Sequence, residues 1–378
     1  MGLLEELGIR PFINAAGTYS RLGSPRIVPE ALAAMAEVAD VYLDLAEFQH
    51  AVNARIARRL GVDAALVTAG AAAGVYLATL ACLTRGDEKL ASAAIRGALD
   101  QLPRRDVVWF ESQENTYHLW ARVAGGRLVA VRPDETGDAL RAVIGPQRAQ
   151  DVAAVLFMAG EHAAAGAPPL RDVIELAHAA GVPVIVDAAA QLPPKENFSR
   201  IAESGADLVL FSGGKGIRAP GGTGLMVGRN DLVQAAAWQA TPRNRLGRAM
   251  KVTKEDLAGF LAALERFLAH DETAERERCE AIVDGWQAGL TDLPWITVER
   301  EFPGEAGKPL PRLIVALEGT FSGKAQAIAD CLGAGDPPVA VVVGSNDRLY
   351  LNPETVRDEE ASIVLAAVQQ TIREMPAT

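Results

Sequence analysis

The chain has 378 residues, 49% hydrophobic and 22% charged, which suits a large domain plus a smaller one and excludes intrinsic disorder. A net charge of −11 and a pI near 5.1 remove the general electrostatic drive toward nucleic acid. Cys82, Cys279 and Cys331 are odd in number and widely spaced, so they predict neither a disulfide frame nor a zinc site and fit a reducing, cytoplasmic compartment. The acidic N-terminus predicts no export signal, and no apolar run reaches spanning length, so no membrane is expected.

Taken in chain order, residues 1–28 are broken by Pro11, Pro25, Gly8, Gly17 and Gly23 and read as an irregular arm that must dock on something to be ordered. Helices are expected at 30–38 and 46–60, the second ending at Gly61 as a C-cap. An apolar strand, 64–68, runs into Ala69-Gly70-Ala71-Ala72-Ala73-Gly74, which opens a helix to about Leu83. Strands follow at 106–110, 127–131 and 152–158. A helix at 170–180 stops at Gly181 before the strand 182–186, another helix ends near Gly205, and strands 208–211 and 224–227 complete the series. This alternation implies crossover connections and a mostly parallel α/β sheet with helices on both faces, whose ligands bind beyond the carboxyl ends of the strands. A long helix is expected from Lys254 to Leu290 with a break near His270, its Glu275-Arg276-Glu277-Arg278 run being a solvated face. Strands at 312–317, 339–343 and 349–352 and a helix at 357–375 make a small α+β domain. The expected divisions are 1–45, an arm and helix; 46–250, the large domain; and 251–378, a linking helix and the small C-terminal domain.

Three strand ends carry the chemistry. The turn after Thr68 lets backbone N–H groups at a helix N-terminus approach an anion, although glycine and alanine there equally serve tight packing. Asp187 follows an apolar strand, where a carboxylate is costly unless a cation pairs with it; otherwise it is a helix cap. Lys215 follows the next strand in Phe211-Ser212-Gly213-Gly214-Lys215. A lysine that forms a Schiff base, and an acid that keeps a pyridine nitrogen protonated, are what pyridoxal phosphate (PLP) requires. The histidines His50, His118, His162, His178 and His270 lack metal-ligand spacing; His118 and His162 are placed to approach a cleft, while His178 reads as surface. Arg243, Arg245, Arg248 and Lys251 form a basic stretch that reads as a solvated face or a contact between subunits.

The order and wording of six segments resemble the fold-type-I PLP enzymes of the selenocysteine synthase-like family, in particular its D-glucosaminate-6-phosphate ammonia-lyase branch. They are 13–18 (INAAGT), 66–74 (LVTAGAAAG), 184–190 (VIVDAAA), 205–209 (GADLV), 211–215 (FSGGK) and 247–255 (GRAMKVTKE). The resemblance implies a large domain with a seven-stranded, mostly parallel sheet and a small α+β domain. It implies that Lys215 carries the Schiff base, that Asp187 pairs with the pyridine nitrogen, and that Gly70, Ala71 and Ser212 hold the phosphate. Thr223 would reach the phosphate of a neighbouring subunit's cofactor, which requires a homodimer or higher oligomer. Where the branch carries Gly-His-Arg this chain has Ser112-Gln113-Glu114, which sets Gln113 against the cofactor in place of a ring and removes a basic residue. Ala219-Pro220-Gly221-Gly222 replaces Gly-Pro-Gln-Ser/Thr, and Tyr19 and Arg21 are additions to the arm.

The expected activity is α,β-elimination of ammonia from a hydroxylated or β-substituted amino acid, with an amino sugar acid among the candidates. Racemisation, aldol cleavage or transfer begins from the same complex and stays open as an alternative; selenium transfer to aminoacyl-tRNA fits the acidic charge less well, and a non-catalytic PLP binder would not need Lys215 and Asp187 together. Arg21, Arg218 and Arg312 are the candidates for gripping the substrate carboxylate.

Overall fold

The computed structural model describes residues 2–160, 163, 166–345 and 347–376. The chain divides into two compact units, Ile27–His270 and Met1–Arg26 with Asp271–Thr378. The N-terminal arm therefore belongs with the C-terminal unit, whereas helices Pro29–Ala39 and Lys254–Ala269 pack on each other in the large unit, in contrast to the expected divisions after residues 45 and 250.

The large unit is built on seven strands: β1 (Ala64–Thr68), β2 (Asp106–Phe110), β3 (Arg127–Val131), β4 (Val152–Met158), β5 (Val184–Asp187), β6 (Leu208–Ser212) and β7 (Gly224–Gly228). Their order is β1-β7-β6-β5-β4-β2-β3, parallel except for β7, which runs antiparallel to β1 and β6. Strand side chains alternate between two cores: Val184, Val186, Val209 and Phe211 face one, Ile185, Leu208 and Leu210 the other. Both faces are covered, so the strands are continuously apolar. Helix Gly70–Thr84 lies within the second core and is buried from Ala73 to Thr84, which explains why it is apolar all round. Helix Leu45–Leu60 closes the β1 edge, where Asn53 Oδ1 accepts the Val67 N–H at 3.0 Å.

The second unit holds a four-stranded antiparallel sheet: β8 (Ile296–Glu301), β9 (Arg312–Leu317), β10 (Val342–Gly344) and β11 (Arg348–Leu351), ordered β10-β11-β9-β8. Its core contains Trp286, Leu313, Val315, Leu349, Val364 and Val368. Ile13–Asn14 pairs in parallel with Val339–Ala340, so the arm docks on its own chain. Lys254–Ala269 and Glu272–Leu290 are separate helices; Thr253 caps the first in a reciprocal box and Asp271 caps the second through the Thr273 and Ala274 N–H groups. Arg278 departs from the expected solvated face, since it bonds Glu275, Pro353 O and Val356 O and ties the second helix to the chain after β11.

Candidate functional site

Thr68, Asp187 and Ser212 all fall at the carboxyl ends of their strands. Thr68 and Ser212 both pair across to Gly224, which seats the start of helix Gly70–Thr84 and the Lys215 turn side by side on one edge. A Cβ on Gly224 would lie 2.5 Å from Gly70 C and 2.7 Å from Ala71 N, so only glycine permits this approach. No side chain caps helix Gly70–Thr84, and Gly70 itself has φ +86°. Its first N–H groups are therefore available to an anion beside the Ser212 hydroxyl.

Asp187 ends β5 with only 7% of its surface exposed. Burial raises its carboxyl pKa, opposed by the Ala189 N–H, which donates to Oδ1 at 3.0 Å, and by the positive charge of Lys215. The helix-cap role considered for Asp187 is not present, since the next helix begins only at Asn197 and the Ala189 bond closes a turn. A buried carboxylate in electrostatic contact with a lysine and with, among the described residues, one N–H partner of its own suits a cationic ring N–H.

Lys215 is half-buried on a turn closed by Gly213 N–H to Thr223 O (2.9 Å), Ala219 N–H to Gly213 O (3.0 Å) and Arg218 N–H to Lys215 O (2.9 Å). Side chains at Gly214 or Gly216 would run into Gly221 O at 2.6 Å or Leu192 O at 2.5 Å. The glycines flanking the lysine are thus a steric requirement of the turn. Arg218 lies on it with φ +57° and accepts the Val28 N–H at its carbonyl.

Thr223 is 1% exposed, its hydroxyl donates to Pro220 O at 2.7 Å, and its side chain faces Gly213. It braces the lysine turn within its own chain.

Gln113 is buried just beyond β2, with both amide ends on the backbone of Met158 at the end of β4. Its two polar ends are thereby occupied. His118 is 5% exposed, its ring centroid 4.6 Å from that of Trp109 and its Nε2 3.3 Å from Asn115 Nδ2. Burial lowers its pKa to about 4, so it is neutral at neutral pH. It packs against the sheet instead of presenting an acid to a cleft. His162 lies outside the described residues. His178 is half exposed and bonds the buried Asp207 at 2.9 Å. This pair lines a cavity of about 460 Å³ at the opposite, amino edge of the sheet, which holds none of the expected site residues.

The other two arginine candidates belong to the second unit. Arg312 is ion-paired with Glu301 and stacked 4.1 Å from the Tyr350 ring centre, so its guanidinium is already engaged. Arg21 lies 5.8 Å from the Tyr19 ring and has no ion pair among the described residues. Tyr19 donates to Glu305 at 2.7 Å, and burial together with that carboxylate raises its pKa. Among the described residues there is no cluster of three or more metal-binding side chains, and no helix is long and apolar enough to cross a membrane.

Thr68, expected at a ligand-facing strand end, donates its hydroxyl to Gly70 O at 2.9 Å, whereas Asn115, which backs Gln113, was not singled out from the sequence. The polar run Ser112 to Asn115 directly after an apolar strand was the available signal.

The aminotransferase class-V family pattern matches residues 84–269. D-glucosaminate-6-phosphate ammonia lyase of Salmonella typhimurium (strain 14028s / SGSC 2262) is 26% identical over 97% of each chain. 5'-C-glycyluridine monooxygenase-decarboxylase of a Streptomyces species is 28% identical over 89% of this chain and 82% of that one. A solved structure of D-glucosaminate-6-phosphate ammonia-lyase superposes with a TM-score of 0.83 at 25% identity, covering 99% of this chain and 98% of the other. The match of residues 84–269 to the aminotransferase class-V family, a mainly parallel seven-stranded sheet and strand ends furnished with a lysine, a buried acid and an open helix N-terminus converge on one assignment: the chain is a PLP-dependent enzyme with the type I fold.

Proposed function

We propose that this protein is a PLP-dependent ammonia-lyase that converts a β-hydroxylated amino acid of the amino sugar acid type to the corresponding 2-oxo acid and ammonia. The observation that carries the reading is the buried Asp187 in electrostatic contact with Lys215 at the ends of neighbouring strands, on a chain similar over nearly its whole length to an amino sugar acid ammonia lyase.

Bound PLP supplies an electron sink conjugated to the substrate Cα. With PLP bound, Lys215 Nζ would hold the cofactor and, when free, would take the substrate's Cα proton as general base. Asp187 would keep the pyridine nitrogen protonated. The Gly70 and Ala71 N–H groups and the Ser212 hydroxyl would grip the phosphate, and Thr223 fixes the turn that carries Lys215. Loss of the β-hydroxyl as water, and its return as the 2-imino acid hydrolyses, leaves the 2-oxo acid and one ammonia. Arg21 is the favoured ligand for the substrate carboxylate, since Arg312 is neutralised by Glu301; Arg218, on the lysine turn, is the other candidate. A cytoplasmic homo-oligomer is part of the same reading.

The test is ammonia and 2-oxo acid release from the purified, PLP-loaded protein offered D-glucosaminate, its 6-phosphate, and a panel of D- and L-β-hydroxyamino acids. Equimolar release of both products from at least one substrate is expected. Saturation with PLP but no ammonia from any of them refutes the lyase reading.

A further inference from the structure

Gln113 lies three residues past the end of β2, yet both ends of its side-chain amide are spent on one backbone unit of β4. Nε2 donates to Met158 O at 3.2 Å and Oε1 accepts from Met158 N at 2.9 Å. The side chain thereby continues the β2–β4 ladder after the backbone of β2 has turned away. Asn115 Nδ2 backs the clamp, donating to Gln113 O at 2.9 Å and lying 3.7 Å from Met158 Sδ and 3.3 Å from His118 Nε2. Met158 is the register partner of Asp187, and Ala159 N–H donates to Asp187 O at 2.9 Å.

We propose that Gln113 is a positioning residue for Asp187: by fixing Met158 it fixes the strand end on which the carboxylate is mounted. Its influence on cofactor binding then runs through Asp187 and not through a hydrogen bond of its own to the ligand. The physical need is clear from where Asp187 stands. It is the last residue of β5, where the ladder ends, and a group that must meet a ring nitrogen has to be held to within about 0.5 Å by its supporting shell. A buried amide serving stability alone would be indifferent to what occupies position 187. The inference rests on the reading of Asp187 as the partner of the PLP ring nitrogen.

A double-mutant cycle separates the two cases. The PLP dissociation constant is measured on the full-length protein, stripped of cofactor and reconstituted, for wild type, Gln113→Met, Asp187→Asn and the double variant, with the melting temperature of each apo-protein alongside. Gln113→Met is expected to weaken PLP binding about tenfold in the wild-type background and less than about twofold in Asp187→Asn. If Gln113→Met does not fold, Gln113→Glu, which keeps the acceptor for Met158 N–H and loses the donor, replaces it in the cycle. Equal weakening in both backgrounds overturns the proposal, and so does a lowered apo melting temperature with PLP affinity unchanged. A wild-type chain that takes up no PLP overturns the functional reading itself and is told apart from those outcomes by the first titration.

Discussion

Gly224→Ala isolates the packing on which the phosphate end of the site depends. The new Cβ would sit 2.5 Å from Gly70 C and 2.7 Å from Ala71 N, and both are backbone atoms that no rotamer change can move aside. Overpacking a tight interior costs about 1–3 kcal/mol, and with backbone on both sides the upper end, about 3 kcal/mol, applies. For a unit the size of Ile27–His270, each kcal/mol moves the melting temperature by about 2–4 °C, so a fall of roughly 6–12 °C is expected in the apo-protein. The strain is relieved most cheaply by moving Gly70 and Ala71 away from β7, which pulls their N–H groups off the anion position; PLP affinity should fall by about tenfold or more. Gly222→Ala is the matched control, two residues earlier in the same loop with nothing within 4 Å of its added Cβ. Thermal melts and a PLP titration on both variants decide the matter. If Gly224→Ala melts and binds like Gly222→Ala, the close approach of β7 to the helix start does not build the site.

In the apo-protein Asp187→Asn should be more stable than wild type at pH 7. Burial raises the folded-state pKa of Asp187 above its unfolded value near 3.9, so the native state binds the extra proton and wild-type stability falls as pH rises through that window; the advantage of the variant should vanish below about pH 4 in urea melts. His118 runs the other way. Its pKa falls from 6.5 to about 4, so the unfolded chain binds the extra proton between those values, and wild type should lose up to about 3 kcal/mol relative to His118→Phe as pH drops from 6.5 to 4. A flat difference between those two proteins across the window would mean that His118 is not buried as described. Arg21→Ala should lower kcat/KM by about 2–3 kcal/mol while leaving PLP absorbance intact. Arg312→Ala should chiefly destabilise the second unit, since it strands half-buried Glu301; the reverse outcome would reassign the carboxylate ligand.

All seven strands of the large sheet were legible, because each is a short apolar run bounded by glycine, aspartate or proline. The break between helices at His270 was visible too, in the capping residue Asp271. Strand Ile296–Glu301 was not, since it is an edge strand in which Thr297, Glu299 and Arg300 are exposed, and an apolar run never forms. The arm's partner was equally hidden: pairing of Ile13–Asn14 with Val339–Ala340 depends on residues more than 300 positions away. At the site, Asp187 and Lys215 announce themselves by position after strands, whereas the inward turn of Thr223 follows from loop closure and the Gln113 clamp from the register of β4. Neither leaves a trace in local residue order.

Reductive labelling tests most directly whether Lys215 carries the cofactor. The purified protein is loaded with PLP, reduced with borohydride, digested, and the modified peptide mapped by mass spectrometry. A visible absorption band that borohydride abolishes and a pyridoxyl group on Lys215, absent from Lys215→Ala, are expected. A label on any other lysine, or no covalent cofactor after saturation with PLP, contradicts the role of Lys215.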